Sequence, residues 1–131
     1  MTEENFMRGM VKSLAAMPEE QREVMLTDRM KDFLNQKEDE RRASMRSMLI
    51  AALSLEDNEY LKISATRTRV ILSLDQDDRS KLMEMHIGIL ASLDPSMKQK
   101  EIGTMKKVVM ELPDQQREVI RNILLNHGIQ L

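Results

Sequence analysis

The stretch LPDQQREV at residues 112–119 decides the fold of this chain, because a near copy of it stands close to the other end. The copy is MPEEQREV at residues 17–24, which begins 112 − 17 = 95 residues earlier. This separation equals 5 × 19 residues. The two copies therefore predict that the chain between them repeats with a period of 19 residues.

Two columns of residues support this period. Stepping by 19 gives six residues that we call anchors: Met17, Gln36, Leu55, Leu74, Leu93 and Leu112. The residues three before each anchor are all apolar: Leu14, Phe33, Ala52, Ile71, Leu90 and Val109. The residues at position 5 after each anchor are basic in five of six cases: Arg22, Arg41, Tyr60, Arg79, Lys98 and Arg117. Two columns that agree over six steps indicate a tandem repeat.

Composition indicates that the repeated unit is a helix. The chain has 131 residues, of which 41% are hydrophobic and 32% are charged, and this balance is typical of a soluble helical protein. Aromatic residues make up only 2%, and there are three prolines and four glycines, which argues against a sheet protein. The sequence predicts a single all-α domain over residues 1–131, built as a tandem array of about seven helices.

Each unit is predicted to be a helix of roughly 16 residues with a link of two or three residues. The first helix is expected over residues 3–15, and Asn35, Ser54 and Ser73 are expected to cap later helices. Short links favour antiparallel neighbours, so the expected structural repeat is a helical hairpin of 2 × 19 = 38 residues. The period alone leaves two architectures open, an α-solenoid-like stack and a compact helical bundle.

Net charge and cysteine content narrow the classes of function. The formal net charge is −2 and the pI is near 5.8, which gives no general electrostatic attraction to nucleic acid or anionic membrane. There is no cysteine, and His86 and His127 have no second ligand at metal-binding spacing. No catalytic constellation is recognisable, so we predict a protein that is not an enzyme and has no cofactor and no metal. The acidic start and the absence of a long apolar run predict a cytoplasmic protein without a membrane span.

Charged residues interrupt the apolar stripe at its centre, which is position 12 after the anchor. Arg29, Arg67 and His86 occupy this position, where other units carry methionine or leucine. A buried charge without a partner costs several kcal/mol, so these arginines must reach an acidic partner or face a groove. We consider Arg29, Arg67, Arg69 and His86 as a candidate partner-binding set. The alternative is that the arginines extend over apolar neighbours to reach water.

The basic column at position 5 allows a second hypothesis. If successive helices alternate in direction, Arg41, Arg79 and Arg117 share one rim, which could bind the phosphates of a nucleic acid or a ribosome. Each also lies one turn from an acidic helix start, so local ion pairs are the structural alternative. The acidic balance of the chain disfavours a nucleic-acid partner.

Residues 112–120, LPDQQREVI, resemble the opening of the DNA-binding helix-turn-helix region of bacterial sigma factors. Neither this copy nor the copy at residue 17 is followed by a turn and a recognition helix. We attribute the match to shared helix-start chemistry and do not assign the family.

Thirteen methionines are the compositional outlier of the chain. Methionine fills thin cores between helices, but an exposed strip of it can adapt to different partner helices. Because repeat arrays expose extended faces, the sequence predicts a non-catalytic protein-interaction or scaffold module. The partner is unidentified, and a homo-oligomer is compatible with this hypothesis. The alternative is a nucleic-acid- or ribosome-associated factor that uses the arginine rim.

Overall fold

A computed structural model describes residues 3–130 of the chain, with side chains from residue 4. Within this range the protein consists of seven α-helices and contains no strand. The helices are α1 (Glu3–Ala16), α2 (Glu19–Asn35), α3 (Glu38–Leu53), α4 (Asp57–Ser73), α5 (Gln76–Ser92), α6 (Pro95–Met110) and α7 (Asp114–Asn126). The predicted all-α array of about seven helices is confirmed.

All six links between helices share the same hydrogen bonds around the anchor, although α3 and α6 end one residue earlier than the other helices that precede a link. In each link the anchor N–H donates to the carbonyl oxygen three residues earlier, at 3.1–3.2 Å. The next residue is extended, with φ between −56° and −66° and ψ between 149° and 166°. Its carbonyl then accepts from the N–H at position 5, at 2.8–3.0 Å, which closes the first turn of the next helix. The 19-residue repeat in sequence is therefore a repeat in structure.

The helix starts differ from the expected caps. The N-cap residue is the one directly after the anchor, so Lys37, Glu56 and Asp75 hold the positions expected for Asn35, Ser54 and Ser73. Ser54 and Ser73 instead donate their hydroxyl protons to carbonyl oxygens three residues earlier, at 2.6 Å each. A hydroxyl at the end of one helix can bind the free carbonyls of that helix as readily as it caps the next.

The packing also differs from the expected hairpin. α1 packs most extensively on α3, and α2 on α4, whereas helices adjacent in sequence contact each other much less. The same turn recurs at every link, and the most extensive contacts join helices that are two units, or 2 × 19 = 38 residues, apart. In the described range no extensive packing joins α1 or α2 to α7, so the helices form a stack.

The core is continuous along the stack and rich in methionine. A large cluster of buried side chains spans α1 to α5, and a smaller one joins α4 and α5 to α6 and α7. Six methionines are buried: Met30, Met45, Met48, Met83, Met85 and Met105. Two others remain exposed, Met25 at 46% and Met110 at 68%. The predicted methionine core is thus present, with exposed methionines near its ends.

Candidate functional site

Three of the basic residues at position 5, Arg22, Arg41 and Arg117, donate to carbonyl oxygens at the end of the preceding helix or in the link. Arg41 donates from Nε to Phe33 O and from Nη2 to Gln36 O, both at 2.9 Å. Arg117 makes the equivalent bonds, from Nε to Val109 O at 3.3 Å and from Nη2 to Leu112 O at 3.0 Å. The last carbonyls of a helix lack partners within the helix, and a cation there also interacts favourably with the helix dipole.

The arginine rim expected from the sequence is therefore built into the links. The donors of Arg41 and Arg117 bind backbone carbonyls, and Arg117 also lies 3.4 Å from the Asp114 carboxylate. Arg79 holds the same position in α5 and is half-buried. An anion bound at this rim would have to compete with the helix ends for the same N–H groups.

The fourth unit departs from this scheme, because Tyr60 replaces the arginine at position 5. Lys100, from α6, supplies the missing contact: its Nζ donates to Leu53 O at 2.9 Å and to Leu55 O at 2.5 Å. The same ammonium lies 3.4 Å from the Asp57 carboxylate. Since Lys100 binds the end of α3, Tyr60 is free to turn into the core, where it is fully buried.

We expect Lys100→Met to destabilise the end of α3. The substitution keeps the aliphatic stem but removes two hydrogen bonds from an ammonium, for a loss of about 1–2 kcal/mol. Hydrogen exchange should speed up in the last turn of α3 more than elsewhere, and urea unfolding should give the overall loss. Lys62→Met, on the exposed face of α4, is the matched control. Equal effects of the two variants would contradict the assigned role.

Tyr60 belongs to a buried polar network centred on Glu101, whose side chain is 0% exposed. The Glu101 Oε2 atom accepts from the Tyr60 hydroxyl at 2.7 Å and lies 3.1 Å from His86 Nε2. Arg67 Nη2 lies 3.4 Å from both carboxylate oxygens. A carboxylate can only accept, so Nε2 of His86 carries the proton in this contact. Three helices, α4, α5 and α6, thus meet at one carboxylate.

Arg67 is held by the same network. Its guanidinium donates to the Tyr60 hydroxyl and to Ser64 Oγ, each at 3.3 Å, and only 13% of its side chain is exposed. The sequence required either an acidic partner or a groove for this arginine. The structure provides the partner, which is Glu101.

The network controls how Glu101 and Tyr60 titrate. Burial alone would raise the pKa of Glu101, but the Arg67 charge and the bonds from His86 and Tyr60 outweigh burial and lower this pKa to about 2. Burial is the main cause that raises the pKa of Tyr60 above its ordinary range. At neutral pH the network therefore contains an ionised carboxylate and a protonated phenol.

Glu101 is the functional candidate that the sequence analysis did not identify. It lies at position 8 after its anchor, where α4, α5 and α7 carry Ile63, Leu82 and Ile120, all buried. A carboxylate in an otherwise apolar column was the available signal. The column at position 12 gives a stronger signal, because two arginines interrupt it.

The four residues predicted to bind a partner are not brought together. Arg67 and His86 share Glu101, whereas Arg69 forms an ion pair with the carboxylate of Glu19. Arg29 donates from Nη2 to the sulfur of Met10 at 3.0 Å. The predicted set therefore divides into one buried cluster and two separate local contacts.

An open groove runs between α1, α3 and α6, away from this network. Its volume is about 530 Å³. Its apolar lining comes from Met7, Ile50, Ala51 and Met97, and its polar lining from Glu4, Arg8, Ser47 and Ser54. Glu4 and Arg8 lie on successive turns of α1 and form an exposed ion pair at 3.8 Å. The groove is thus an accessible apolar surface with two flexible methionines.

Across residues 3–130, no helix is long and apolar enough to cross a membrane. The same residues contain no group of three histidine or carboxylate side chains placed to hold a metal ion. No protein-family model, no curated protein and no solved structure matches this chain.

Proposed function

We propose that this protein is a non-catalytic interaction module that binds an apolar helical segment of a partner protein in the α1–α3–α6 groove. The groove itself carries the proposal, because it is an open cavity with a mostly apolar lining beside a packed core. Its volume of about 530 Å³ falls within the rough range of 300–1,000 Å³ that is usual for binding pockets.

The walls of the groove favour a helix as the occupant. All three walls are helices, so an added helix would pack as these helices pack on each other. Met7 and Met97 are unbranched and can adapt to the side chains of a partner, while Ile50 and Ala51 offer a firm apolar surface. Recognition of an amphipathic helix by such a groove uses apolar residues spaced three and four apart.

The charged groups of the groove support this occupant over a small polar ligand. A pocket for a polar ligand has a few polar groups that converge on it. Here Glu4 and Arg8 pair with each other, while Ser47 and Ser54 are single hydroxyls on the opposite helix. The polar residues therefore suit the rim of a protein interface, in which the apolar centre supplies most of the affinity.

Ser47→Arg tests the groove directly. Ser47 is exposed and lines the groove, so a long charged side chain there should block binding without disturbing the core. Affinity capture from a lysate of the source organism, with nuclease added, should recover a stoichiometric partner with the wild-type chain. Ser47→Arg should recover at least about tenfold less, which corresponds to 1.4 kcal/mol of binding free energy.

Ser80→Arg is the matched control, because Ser80 is exposed on α5 and does not line the groove. It should capture as much partner as the wild-type chain does. Equal capture by Ser47→Arg and Ser80→Arg would contradict the proposed groove. Loss of every partner on nuclease treatment would favour the nucleic-acid-associated alternative instead.

A further inference from the structure

Large exposed apolar side chains lie only near the two ends of the stack. Among residues 4–130 they are Phe6 (60% exposed), Val24 (61%), Met25 (46%), Met110 (68%) and Leu125 (52%). The first three belong to α1 and α2, and the last two to α6 and α7. The three middle helices carry none within this range. The exposure is therefore tied to position in the stack and not to composition.

The residues at position 8 show which face of α1 and α2, the first end of the stack, is exposed to solvent. Phe6 in α1 and Met25 in α2 occupy this position and are 60% and 46% exposed. The same position in later helices is closed, with Ile63 at 1%, Leu82 at 0% and Ile120 at 4%. Helices α4, α5 and α7 follow other helices in the stack, whereas no described helix precedes α1. Position 8 is thus buried in α4 to α7, half-buried at Ser44 in α3, and exposed in α1 and α2.

The column at position 13 shows the opposite trend. Val11, Met30, Leu49 and Ile87 occupy it in α1, α2, α3 and α5, and all are at most 8% exposed. In α7 the same position holds Leu125, which is 52% exposed, and in α6 it holds the exposed Lys106. Position 13 is thus buried in α1, α2, α3 and α5, half-buried at Thr68 in α4, and exposed in α6 and α7.

The two open ends are complementary because the whole stack uses one packing relation. Each of α1, α2 and α3 packs on the helices two and three units further along the chain, and α4 packs on α6. Side chains of α7 join α4, α5 and α6 in the smaller core cluster. In such an interface, the helix that comes later in the chain buries its residue at position 8. The helix that comes earlier buries its residue at position 13. The exposed position 13 of α6 and α7 therefore belongs to the kind of surface that would bury the exposed position 8 of α1 and α2. Repeat proteins that stay monomeric cover these ends with polar terminal units, which this chain does not have in the described range.

The charges of the two ends are also complementary. In α1, Glu3 and Glu4 balance Arg8 and Lys12, whereas α2 has five acidic and three basic residues, so the pair carries 0 − 2 = −2. In α6 four lysines outnumber one glutamate, and α7 is neutral, so the second pair carries +3 + 0 = +3. Opposite charges on two surfaces favour their encounter and oppose the pairing of either end with itself.

We propose that two copies of this chain associate head to tail, with α6 and α7 of one copy packed against α1 and α2 of the next. Phe6 and Met25 then take the role that Ile63 and Leu82 have inside the stack. Leu125 takes the role of Leu49 and Ile87. This inference names a second copy as a partner of the proposed interaction module, and it uses the ends of the stack instead of the groove.

The association is open-ended, because the two surfaces that meet are different. A heterologous contact leaves one free end of each kind and generates a filament or a ring, whereas a contact between identical surfaces stops at the dimer. Sedimentation of the wild-type chain over increasing concentration should therefore show a mass that rises past 2 × 15.2 kDa without a plateau at that value.

Two variants, each blocked at one end, test the head-to-tail arrangement. Phe6→Lys/Met25→Lys blocks the first end, and Leu125→Lys blocks the second. Each variant alone should sediment as a monomer of about 15.2 kDa, because neither can offer both surfaces. An equimolar mixture should form a 1:1 complex, since each variant keeps the surface that the other lacks. Ala91→Lys, at an exposed site on α5, is the control and should associate as the wild type does.

Three results would overturn the arrangement: a wild-type chain that stays monomeric at every concentration, a dimer plateau, or a mixture of the two variants that stays monomeric. The melting temperature of each variant should match that of the wild type at concentrations too low for association, because the substituted side chains are exposed. At higher concentrations the wild type should melt at a higher temperature than the variants, since association stabilises the folded state. Ser47→Arg should still associate, and the blocked variants should still capture the groove partner. Failure of the self-association and failure of the groove are therefore observed in separate experiments.

Discussion

Glu101→Gln is expected to lower the free energy of unfolding by about 3–5 kcal/mol, because it removes one charge of a buried ion pair. Arg67 stays protonated at any pH at which the protein folds, and its guanidinium would face a neutral amide. The amide keeps one oxygen, which can accept from Tyr60 and His86, but its NH2 group then faces the guanidinium of Arg67. The variant therefore leaves a buried charge unpaired and places donors against donors.

Urea unfolding measures this loss against two controls. Glu84→Gln, on the exposed face of α5, should change the free energy by no more than about 0.5 kcal/mol. Arg67→Met/Glu101→Met removes both charges, and replacement of a buried pair by apolar residues is often neutral. This double variant should therefore be more stable than Glu101→Gln. A Glu101→Gln variant with the wild-type urea midpoint would show that the network contributes little.

Acid should destabilise the protein in the pH range between the ordinary pKa of Glu101 and its pKa in the folded chain. The pKa of this carboxyl is about 2 in the folded chain and about 4.5 ordinarily. The unfolded chain thus takes up the proton first as the pH falls. The stabilisation is complete above about pH 4.5 and is lost as the pH falls towards 2. A difference of 4.5 − 2 = 2.5 pKa units corresponds to about 3 kcal/mol.

The free energy of unfolding measured at a series of pH values checks this expectation. The groups that face Glu101 are Tyr60, Arg67 and His86, of which Tyr60 and Arg67 keep their protons throughout this range. Arg67→Met/Glu101→Met is the matched control, since it lacks the buried carboxyl but keeps the surface carboxylates. Parallel pH curves for the wild type and the double variant would contradict the lowered pKa.

The sequence was sufficient to predict the helices and their period, because both depend on local patterns. The anchors and the apolar column before them recur at 19 residues, and each link then repeats the same hydrogen bonds. The pairing of helices could not be predicted in the same way. It depends on the angle of the link, which short length alone does not determine. Only the shared extended residue, at Pro18 and its five equivalents, shows that one turn is used throughout.

The candidate sites were predictable only in part. Arg67 was recognisable because a charge at the centre of an apolar stripe requires a partner. The identity of that partner was not recognisable, because Glu101 is 34 residues away and meets Arg67 only when α6 packs on α4. The groove depends on the spacing between α1, α3 and α6, which no local pattern records. The contacts of Arg41 and Arg117 were likewise not predictable, because they depend on where the preceding helix ends.

The identical links also determine how such a chain can grow. A duplication or deletion of 19 residues, made between two anchors, restores the same turn and the same partner positions on either side. The chain can therefore gain or lose a single helix in evolution, whereas a hairpin repeat must change by two. The Glu101 network limits this freedom, because Tyr60 and Arg67 on α4, His86 on α5 and Glu101 on α6 must keep their order. We therefore expect a helix to be gained or lost more readily before α4 than within α4 to α6.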